Sequence, residues 1–315
     1  MIFLIKNKEI YAIYKKMSEE QQYISLLHEI TNFGSKRDDR TGTGVYSLFG
    51  KQLKFSLTGN VLPLLTTKRV FLRGVVIELL WILSGNTCVK DMSKNGVRIW
   101  DGNTTDPSYI KRTGNEPMDI GPGYGFQLRH FGGNYKGGGL GQDIHGAGGI
   151  DQLKLVITEI MTNPTSRRIM WNYWNPSQQE QMCLPPCHFC YQFYVDDGKL
   201  SCMMTQRSAD VFLGLPFNIA SVSLLVFILA KVCGLDAGGV IISIGDAHLY
   251  SNHIEQSKKQ MDRDPFEFPT FEFANVDEPP SDVDGKIRWI TSLTFANFNV
   301  QNYKCHPTIK APMAV

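Results

Sequence analysis

Hydrophobic and polar residues follow two periods along the chain, and these periods predict its first helices and its first strand. Apolar residues recur at helical spacing in residues 19–33, where Gly34 ends the pattern, and again in residues 151–162. Residues 45–57 instead alternate apolar and polar side chains, which predicts a strand with one buried face. The chain is therefore expected to combine helices with strands.

Two segments are almost wholly apolar and are predicted to be buried helices: residues 72–83, which Gly85 ends, and residues 218–233, which Gly234 closes. Glu78 lies inside the first of them, among valine, isoleucine, leucine and tryptophan. Few positions of such a helix can face water, and a buried carboxylate is costly unless it is hydrogen-bonded or protonated. Glu78 is therefore a candidate functional residue, with a solvent-facing position as the alternative.

The second half of the chain predicts a mixed sheet. Asp197-Gly198 is a typical hairpin turn that should join a strand over residues 190–196 to one over 199–206. No internal repeat or interdomain linker is visible, so the elements predict one α/β (α+β) domain, a mixed β-sheet flanked by helices. Further expected elements are strands over 167–174 and 240–244, a helix over 250–261, irregular structure over 101–149, and short strands with proline-rich turns over 271–315.

Two stretches stand apart from these elements. Nine of the eighteen residues from 132 to 149 are glycine, and no GxxxxGK[ST] motif occurs, so a flexible surface loop is predicted rather than a phosphate-binding loop. Residues 1–18 are polar and rich in lysine, and they are interpreted as an N-terminal extension. The domain itself is expected to span residues 19–315.

The composition restricts the kinds of partner and compartment. A net charge of +2 over 315 residues is too small for nucleic acid or a membrane surface to be the main ligand, so anion binding must come from locally gathered arginines. No apolar run is expected to approach the roughly 18 residues that span a bilayer. The apolar opening of the chain is too short for a signal peptide. Seven cysteines without regular spacing are typical of a reducing compartment, so we expect a soluble, cytoplasmic protein.

The strongest candidate for chemistry is Cys187, in the run Leu184-Pro185-Pro186-Cys187-His188. This thiol precedes the predicted hairpin, whose far strand ends with the guanidinium of Arg207 and the hydroxyl of Ser208. The thiolate is the reactive form of cysteine, and a nearby cation lowers the pKa of the thiol. The pattern indicates a nucleophile that faces an anionic substrate. The alternative is a cysteine buried as a small hydrophobe.

Zinc is a further alternative, because Cys183, Cys187, His188 and Cys190 lie close together in sequence. No second pair of the CxxC type occurs elsewhere in the chain, and prolines divide the cluster. No metal site is therefore predicted.

Short motifs along the chain occur in an order that is typical of one family. Each is weak evidence alone, but together they extend from about residue 20 to the last residue, and the chain closely resembles thymidylate synthase. The motifs are Asp39-Arg40-Thr41-Gly42-Thr43-Gly44, Glu78-Leu79-Leu80-Trp81, Ile99-Trp100-Asp101, Gly121-Pro122 with Tyr124-Gly125, Arg167-Arg168, Leu184-Pro185-Pro186-Cys187-His188, Gln206-Arg207-Ser208-Ala209-Asp210, Leu213-Gly214-Leu215-Pro216-Phe217-Asn218-Ile219-Ala220-Ser221, Gly245-Asp246-Ala247-His248-Leu249-Tyr250 and Ile309-Lys310-Ala311-Pro312-Met313-Ala314-Val315.

This resemblance implies reductive methylation of dUMP to dTMP, with 5,10-methylenetetrahydrofolate as the donor of both the carbon and the hydride. The Cys187 thiolate would add to C6 of the electron-poor uracil ring, so that C5 could attack the methylene carbon of the folate. Departure of tetrahydrofolate and hydride transfer would then give dTMP and dihydrofolate, with no metal. The implied fold is a single domain whose large mixed sheet packs back to back with that of a second subunit in a homodimer.

The resemblance also implies how the phosphate of dUMP is held. Charge-assisted and preferably bidentate donors favour arginine over lysine. Arg40, Arg207 and Ser208 would come from one subunit, and Arg167 and Arg168 would reach over from its partner. Without the family pattern, those last two arginines would be interpreted as an ordinary exposed strand start.

Asn218 is the residue that the resemblance links to the choice of base. Its amide would read the O4/N3 edge of uracil, whereas an aspartate resembles the deoxycytidylate hydroxymethylase branch. The local alternative is a helix N-cap. Glu78 would organise water and proton traffic to O4 and the folate nitrogen. His248 and Tyr250 would hydrogen-bond the 3′-hydroxyl of the sugar, although a lone histidine such as His248 is more often structural.

The remaining implied assignments concern the pocket walls. Lys68 would contact the glutamate tail of the folate, although a lysine in such a loop is usually solvated. Ala314 and Val315 belong to the C-terminal segment that would close over the ligands. The substrate set also includes Tyr124, His188, Gln206 and Asp210, and the folate set comprises Lys68, Ile99, Trp100, Asp210, Leu213, Gly214, Phe217 and Ala314. The implied catalytic set is Cys187, Glu78, Asn218, Tyr124 and Arg207.

Four positions depart from the family pattern without removing a residue that does chemistry. This chain has Gly123 where the family usually has valine, Leu128 where it has tryptophan, Tyr173 where it has a small residue, and Thr205 where it has tyrosine. Three other functions are weighed against the synthase: the hydroxymethylase branch, a silent relative that binds nucleotide or RNA, and an unrelated cysteine hydrolase. Asn218 disfavours the first, and the complete catalytic set with a near-neutral charge disfavours the second. The third would need no folate.

Overall fold

The computed structural model describes residues 18–137 and 148–313, and a six-stranded sheet forms its centre. The strands of this sheet are β1 (Ser35–Arg37), β2 (Val45–Ser56), β3 (Met170–Asn172), β4 (His188–Asp196), β5 (Lys199–Asp210) and β6 (Asp236–Tyr250). Their order across the sheet is β1-β2-β6-β5-β4-β3, and only β5 and β6 pair in parallel. β7 (Thr270–Phe273) and β8 (Phe298–Gln301) form a separate pair. The predicted mixed sheet is confirmed.

Helices flank the sheet, as predicted. They are α1 (Gln21–Phe33), α2 (Leu72–Leu83), α3 (Lys90–Lys94), α4 (Asp101–Thr104), α5 (Pro107–Thr113), α6 (Tyr124–His130), α7 (Gln152–Thr162), α8 (Gly214–Cys233), α9 (Ile254–Met261) and α10 (Val283–Ser292). The apolar helix α8 packs on β5, β6 and α2, and the core-facing residues of β5 alternate along that strand.

The helix α8 contradicts the expectation that no segment is long and apolar enough to span a bilayer. Within residues 18–137 and 148–313, it is the one helix that is long and apolar enough to cross a membrane. However, 78% of its apolar window is buried inside the fold, against the sheet and α2. A helix that is apolar all round and surrounded by protein is typical of a domain core.

Several predicted boundaries are wrong. α8 begins at Gly214 rather than at residue 218, because Asp210 Oδ1 accepts the N–H groups of Phe212 and Leu213 at 2.9 and 3.1 Å and so stabilises an earlier start. The alternative that Asn218 caps the helix is therefore wrong. β6 continues to Tyr250, so the following helix α9 starts at Ile254 rather than at residue 250.

Regular structure also occurs where none was expected. α4, α5 and α6 lie within the stretch that was predicted to be irregular, and α10 lies in the C-terminal region of short strands. α4, α5 and α6 have only four to seven residues, too few for a helical period to stand out, and the starts of α5 and α10 are capped by aspartate side chains. The side chain of Asp106 accepts from Ser108 N at the start of α5, and that of Asp282 accepts from Gly285 N at the start of α10.

Three strand ends and one helix start position the candidate site. His188, at the start of β4, pairs with Gln206 of β5, and Asp210, at the end of β5, pairs with His248 of β6. α8 begins four residues after Asp210. Residues near these ends therefore converge on one edge of the sheet. Most of the predicted glycine-rich loop, residues 138–147, lies outside the described residues, as do residues 1–17.

Candidate active site

Cys187 lies immediately before β4, on a turn whose backbone is held from two sides. Its N–H donates to the hydroxyl of Tyr124 at 2.9 Å, and its carbonyl accepts from the N–H of Arg207 at 2.9 Å. The Arg207 guanidinium donates to the carbonyls of Pro186 and Pro185 at 3.0 and 2.9 Å, and Nη2 lies 3.7 Å from Sγ of Cys187. The contact between thiol and guanidinium that the sequence suggested is therefore present.

The pKa of the Cys187 thiol is raised, whereas the sequence led us to expect that a nearby cation would lower it. Burial raises the pKa of Cys187, and the Arg207 guanidinium acts in the opposite direction without cancelling it. Arg207 therefore favours the thiolate as predicted, but desolvation outweighs it. In the absence of a substrate, the cysteine is held mainly as the thiol near neutral pH.

Glu78 lies on α2, and its side chain is partly accessible while protein atoms surround the carboxylate. This burial raises its pKa to about 7, although the indole N–H of Trp100 donates to Oε1 at 2.8 Å and opposes the shift. A carboxyl group with such a pKa can accept and return a proton near neutral pH. The functional interpretation of Glu78 is thereby favoured over a solvated side chain.

His188 is engaged in a group of rings beneath Cys187. Its imidazole stacks on Tyr124, with ring centroids 4.5 Å apart and planes at 27°, and its Nδ1 lies 2.8 Å from the hydroxyl of Tyr191. Burial lowers the pKa of His188 to about 4, so the ring is neutral at physiological pH. In this arrangement His188 supports Tyr124 and provides no cation beside the thiol.

The predicted anion-binding residues fall into two groups. Arg40 and Arg207 line one cleft of about 780 Å³, together with Leu184 and Pro185 beside the nucleophile turn. Arg167 and Arg168 are exposed, lie before β3 at the opposite edge of the sheet, and are not among the residues that line this cleft. The fold thus brings the first pair together and leaves the second pair apart.

Ser208 and His248 form a polar group next to this cleft. The Ser208 hydroxyl and a carboxylate oxygen of Asp246 each lie 3.4 Å from Nδ1 of His248, and Arg37 pairs with the other oxygen of Asp246 at 3.0 Å. The His248 and Tyr250 rings are in edge contact at 5.3 Å. Our sequence interpretation did not single out Arg37 and Asp246. The alternation of 246, 248 and 250 along one strand face could have indicated Asp246.

Two amide side chains near the site have no protein partner. The amide of Asn218, on the second turn of α8, makes no hydrogen bond with any described residue. Gln206 is only 1% exposed, and neither its Nε2 nor its Oε1 has a hydrogen-bond partner among the described residues. A buried amide is normally paired, so Gln206 is suited to bind a polar ligand, and the partly exposed amide of Asn218 has its donor and acceptor available as well.

Most residues predicted to contact a folate lie at the border of the apolar core. Ile99, Trp100, Leu213 and Phe217 are partly buried and pack against the core, while Gly214 begins α8 and Asp210 Oδ1 accepts the N–H groups of Phe212 and Leu213 in the turn before it. Apolar side chains with few polar groups are typical of pockets for ring systems, and the role of these residues in folate binding stays a prediction. Ala314 lies outside the described residues.

Lys68 differs from the solvated lysine that such a loop usually carries. Only 6% exposed, it donates through Nζ to the Phe212 carbonyl at 2.5 Å and lies over the Phe212 ring. Burial lowers the pKa of Lys68 to about 7. Its amine is thus directed into the protein, towards the loop that precedes α8. Among the described residues, no group of three or more histidine, cysteine or acidic side chains could hold a metal ion.

Comparison with known proteins gives consistent matches along the chain. The model of a family described as thymidylate synthase matches residues 21–315. The thymidylate synthase of Herpesvirus ateles is 46% identical over 304 residues, which cover 96% of this chain and 100% of that protein. The bifunctional dihydrofolate reductase-thymidylate synthase of Leishmania major is 45% identical over 98% of this chain, and Arabidopsis thaliana bifunctional dihydrofolate reductase-thymidylate synthase 2 is 48% identical over 94%. The chain spans 57% and 50% of the lengths of these two bifunctional relatives.

Proposed function

The chain belongs to the thymidylate synthase family, and we propose on that basis that it converts dUMP to dTMP by reductive methylation. The observation that carries this proposal is the position of Cys187, whose thiol lies 3.7 Å from the Arg207 guanidinium beside a cleft that Arg40 also lines. A soft nucleophile next to one cation, beside a cleft that holds a second, suits an electron-poor ring attached to a phosphate. 5,10-Methylenetetrahydrofolate is the cosubstrate and supplies the one-carbon unit and the hydride.

Cys187 is the covalent catalyst in this proposal. Its sulfur adds to C6 of uracil, which breaks the C5–C6 double bond and places the electron pair on C5 and O4. C5 then attacks the methylene carbon of the folate and loses its proton, and tetrahydrofolate departs to leave an exocyclic methylene on C5. Hydride transfer from tetrahydrofolate to this methylene restores the C5–C6 double bond, breaks the C6–sulfur bond and releases the thiolate, dTMP and dihydrofolate. The cysteine is therefore unchanged at the end of a turnover. Arg207 favours the thiolate before addition, and this offsets part of the burial that raises the pKa of the thiol.

Glu78 handles protons in this scheme, since its pKa of about 7 allows it to donate to O4 and later to recover the proton. The indole of Trp100 fixes the carboxyl group by a hydrogen bond of 2.8 Å. Tyr124 keeps the nucleophile turn in place through the Cys187 N–H. These two hydrogen bonds orient groups that would otherwise have to be ordered during the reaction.

Substrate recognition is assigned to the unpaired amides and to the ends of β5 and β6. Asn218 is proposed to donate to O4 and to accept from N3–H, a pattern that uracil offers and cytosine does not. Gln206 lines the nucleotide pocket, and His248 and Tyr250 bind the sugar hydroxyl. Ile99, Trp100, Asp210, Leu213, Gly214, Phe217 and Ala314 hold the folate, with Lys68 near its glutamate tail.

We further propose that the active form is a homodimer. Arg167 and Arg168 are exposed and have no ion pair among the described residues, which suits a role in the site of a partner subunit. The sheet face opposite α8 carries large exposed side chains, with Met170 at 46% and Tyr194 at 64% exposure. A second copy packed back to back on this face would cover them.

The boundaries and compartment of the protein are also proposals. The catalytic domain is taken to span residues 19–315, with residues 1–18 as an extension. A cytoplasmic location is supported by the seven cysteines, all of which are free.

An absorbance assay for dihydrofolate formation tests the proposed activity. Purified protein is mixed with dUMP and methylenetetrahydrofolate, and each substrate is omitted in turn. Absorbance should rise only when both are present, and Cys187→Ala should give no rise. Turnover that needs no folate would instead indicate an unrelated cysteine enzyme.

A further inference from the structure

Tyr173 lies at the centre of the rings that support the nucleophile. It follows β3 directly, is 2% exposed, and donates its N–H to the Phe189 carbonyl at 2.7 Å. Its ring meets those of Tyr124, His188 and Tyr191 edge to face, at centroid distances of 5.4, 6.1 and 5.7 Å. One side chain thus contacts Tyr124, which hydrogen-bonds Cys187, His188, which follows Cys187 in sequence, and Tyr191, which contacts His188.

Each of those rings has a defined relation to the nucleophile turn. Tyr124 accepts the Cys187 N–H, His188 follows Cys187 in sequence and stacks on Tyr124, and the Tyr191 hydroxyl lies 2.8 Å from Nδ1 of His188. The three rings therefore form a connected unit. Its stability depends on what fills the space behind it, because a void there would let the rings adopt other orientations.

We propose that Tyr173 is a positioning residue for Cys187: it fixes the Tyr124 and His188 rings from behind and thereby holds the nucleophile turn in the geometry for attack. This inference rests on the proposed function, since it concerns the same covalent step. Because the family resemblance implies a small residue at position 173, the packing of an aromatic ring behind Tyr124 and His188 is a feature of this chain. Tyr173 acts from behind Tyr124 and His188 in this arrangement, so its replacement should affect the covalent step more than nucleotide binding.

Formation of the covalent adduct with 5-fluoro-dUMP and methylenetetrahydrofolate tests the role of Tyr173. Tyr173→Leu should slow adduct formation by about tenfold or more while the Kd for dUMP changes by less than about threefold. Tyr173→Phe keeps the ring and should retain the wild-type rate. If Tyr173→Leu does not fold, Tyr173→Met takes its place, because it keeps much of the volume without the ring.

Phe193→Leu provides a matched control for the loss of a buried ring. Phe193 is 2% exposed, and its ring contacts Trp171 but, within the described part of the chain, neither Tyr124 nor His188. This variant should lower the Tm by an amount similar to Tyr173→Leu and leave adduct formation near the wild-type rate. An equal slowing in both variants, or no slowing in Tyr173→Leu, would overturn the positioning role. A wild-type protein that forms no adduct would instead overturn the proposed function.

Discussion

The indole N–H of Trp100 donates to Oε1 of Glu78 at 2.8 Å, which links a wall of the proposed folate pocket to the proposed proton carrier. The hydrogen bond favours the ionised carboxylate, yet burial prevails and the pKa of Glu78 rises to about 7. A folate that packs against Trp100 would therefore contact the residue that orients the acid. Pocket shape and proton transfer are thus coupled through a single hydrogen bond.

Glu78→Gln should make the folded protein more stable at high pH. The pKa of Glu78 is about 7 in the folded state against an ordinary value of 4.5, so its stabilising contribution is complete below pH 4.5 and is lost as the pH rises through 7. At about pH 8 the variant should exceed the wild type by about 1–3 kcal/mol in free energy of unfolding, with no such gain near pH 4.5. Urea unfolding at both pH values measures this. An equal difference at both would contradict the assigned pKa.

Cys187→Ala should separate binding from chemistry. The variant keeps Arg40 and Arg207, so its affinity for dUMP should stay within about threefold of the wild type. It cannot form the bond to C6, so release of tritium from [5-³H]dUMP should disappear. Calorimetry measures the binding and scintillation counting measures the release. Tritium release at the wild-type rate would remove Cys187 from the mechanism.

Arg168→Ala and Arg207→Ala should complement one another if the site is shared between subunits. Each variant alone should have little activity, because each damages every site of its own homodimer. Random mixing by refolding gives heterodimers with one intact site, so about a quarter of wild-type activity should return. Arg207→Ala refolded with itself is the control. No gain after verified mixing would mean that Arg168 does not serve a partner.

Asn218→Asp should change the preferred base. The amide can donate to O4 and accept from N3–H of uracil, whereas a carboxylate accepts from the amino group of cytosine. The variant should lose at least about tenfold in kcat/KM for dUMP and bind dCMP more tightly than the wild type does. Steady-state kinetics and competition binding measure these changes. Unaltered use of dUMP by Asn218→Asp would show that another residue selects the base.

The predictions that held depend on local patterns. The bounds of α2 were predicted at both ends, because its apolar run is long and Gly85 interrupts it. The hairpin between β4 and β5 formed at Asp197-Gly198, where both residues have positive φ, at 47° and 69°. A type I′ turn requires this conformation at both positions, and Asp-Gly is suited to it.

Boundaries that depend on other parts of the chain could not be predicted. β6 is fifteen residues long because it pairs with β2 on one side and β5 on the other, and its own sequence contains glycines that weaken the strand pattern. α8 starts early because Asp210, on the preceding strand, binds the backbone at its beginning. In both cases the partner that decides the boundary lies outside the segment.

In the candidate site, too, features set by local sequence could be predicted, and features set by distant residues could not. Proximity of Arg207 to Cys187 could be predicted, since Cys187 immediately precedes one strand of the hairpin and Arg207 lies on the other. The upward shift in the pKa of Cys187 and the burial of Lys68 could not, because both depend on how much protein surrounds the group. The roles assigned to individual residues stay predictions until the experiments above are done.

The order of strands across the sheet has a consequence for the nascent chain. β2 is made early but pairs with β6, which is made much later. His248 of β6 pairs with Ser47 of β2, so Arg40 on the loop before β2 and His248 can belong to one site only after the ribosome has released the chain beyond Tyr250. Capture of a nucleotide should thus begin only after most of the polypeptide has emerged, and a truncated translation product would compete poorly for the cellular dUMP pool.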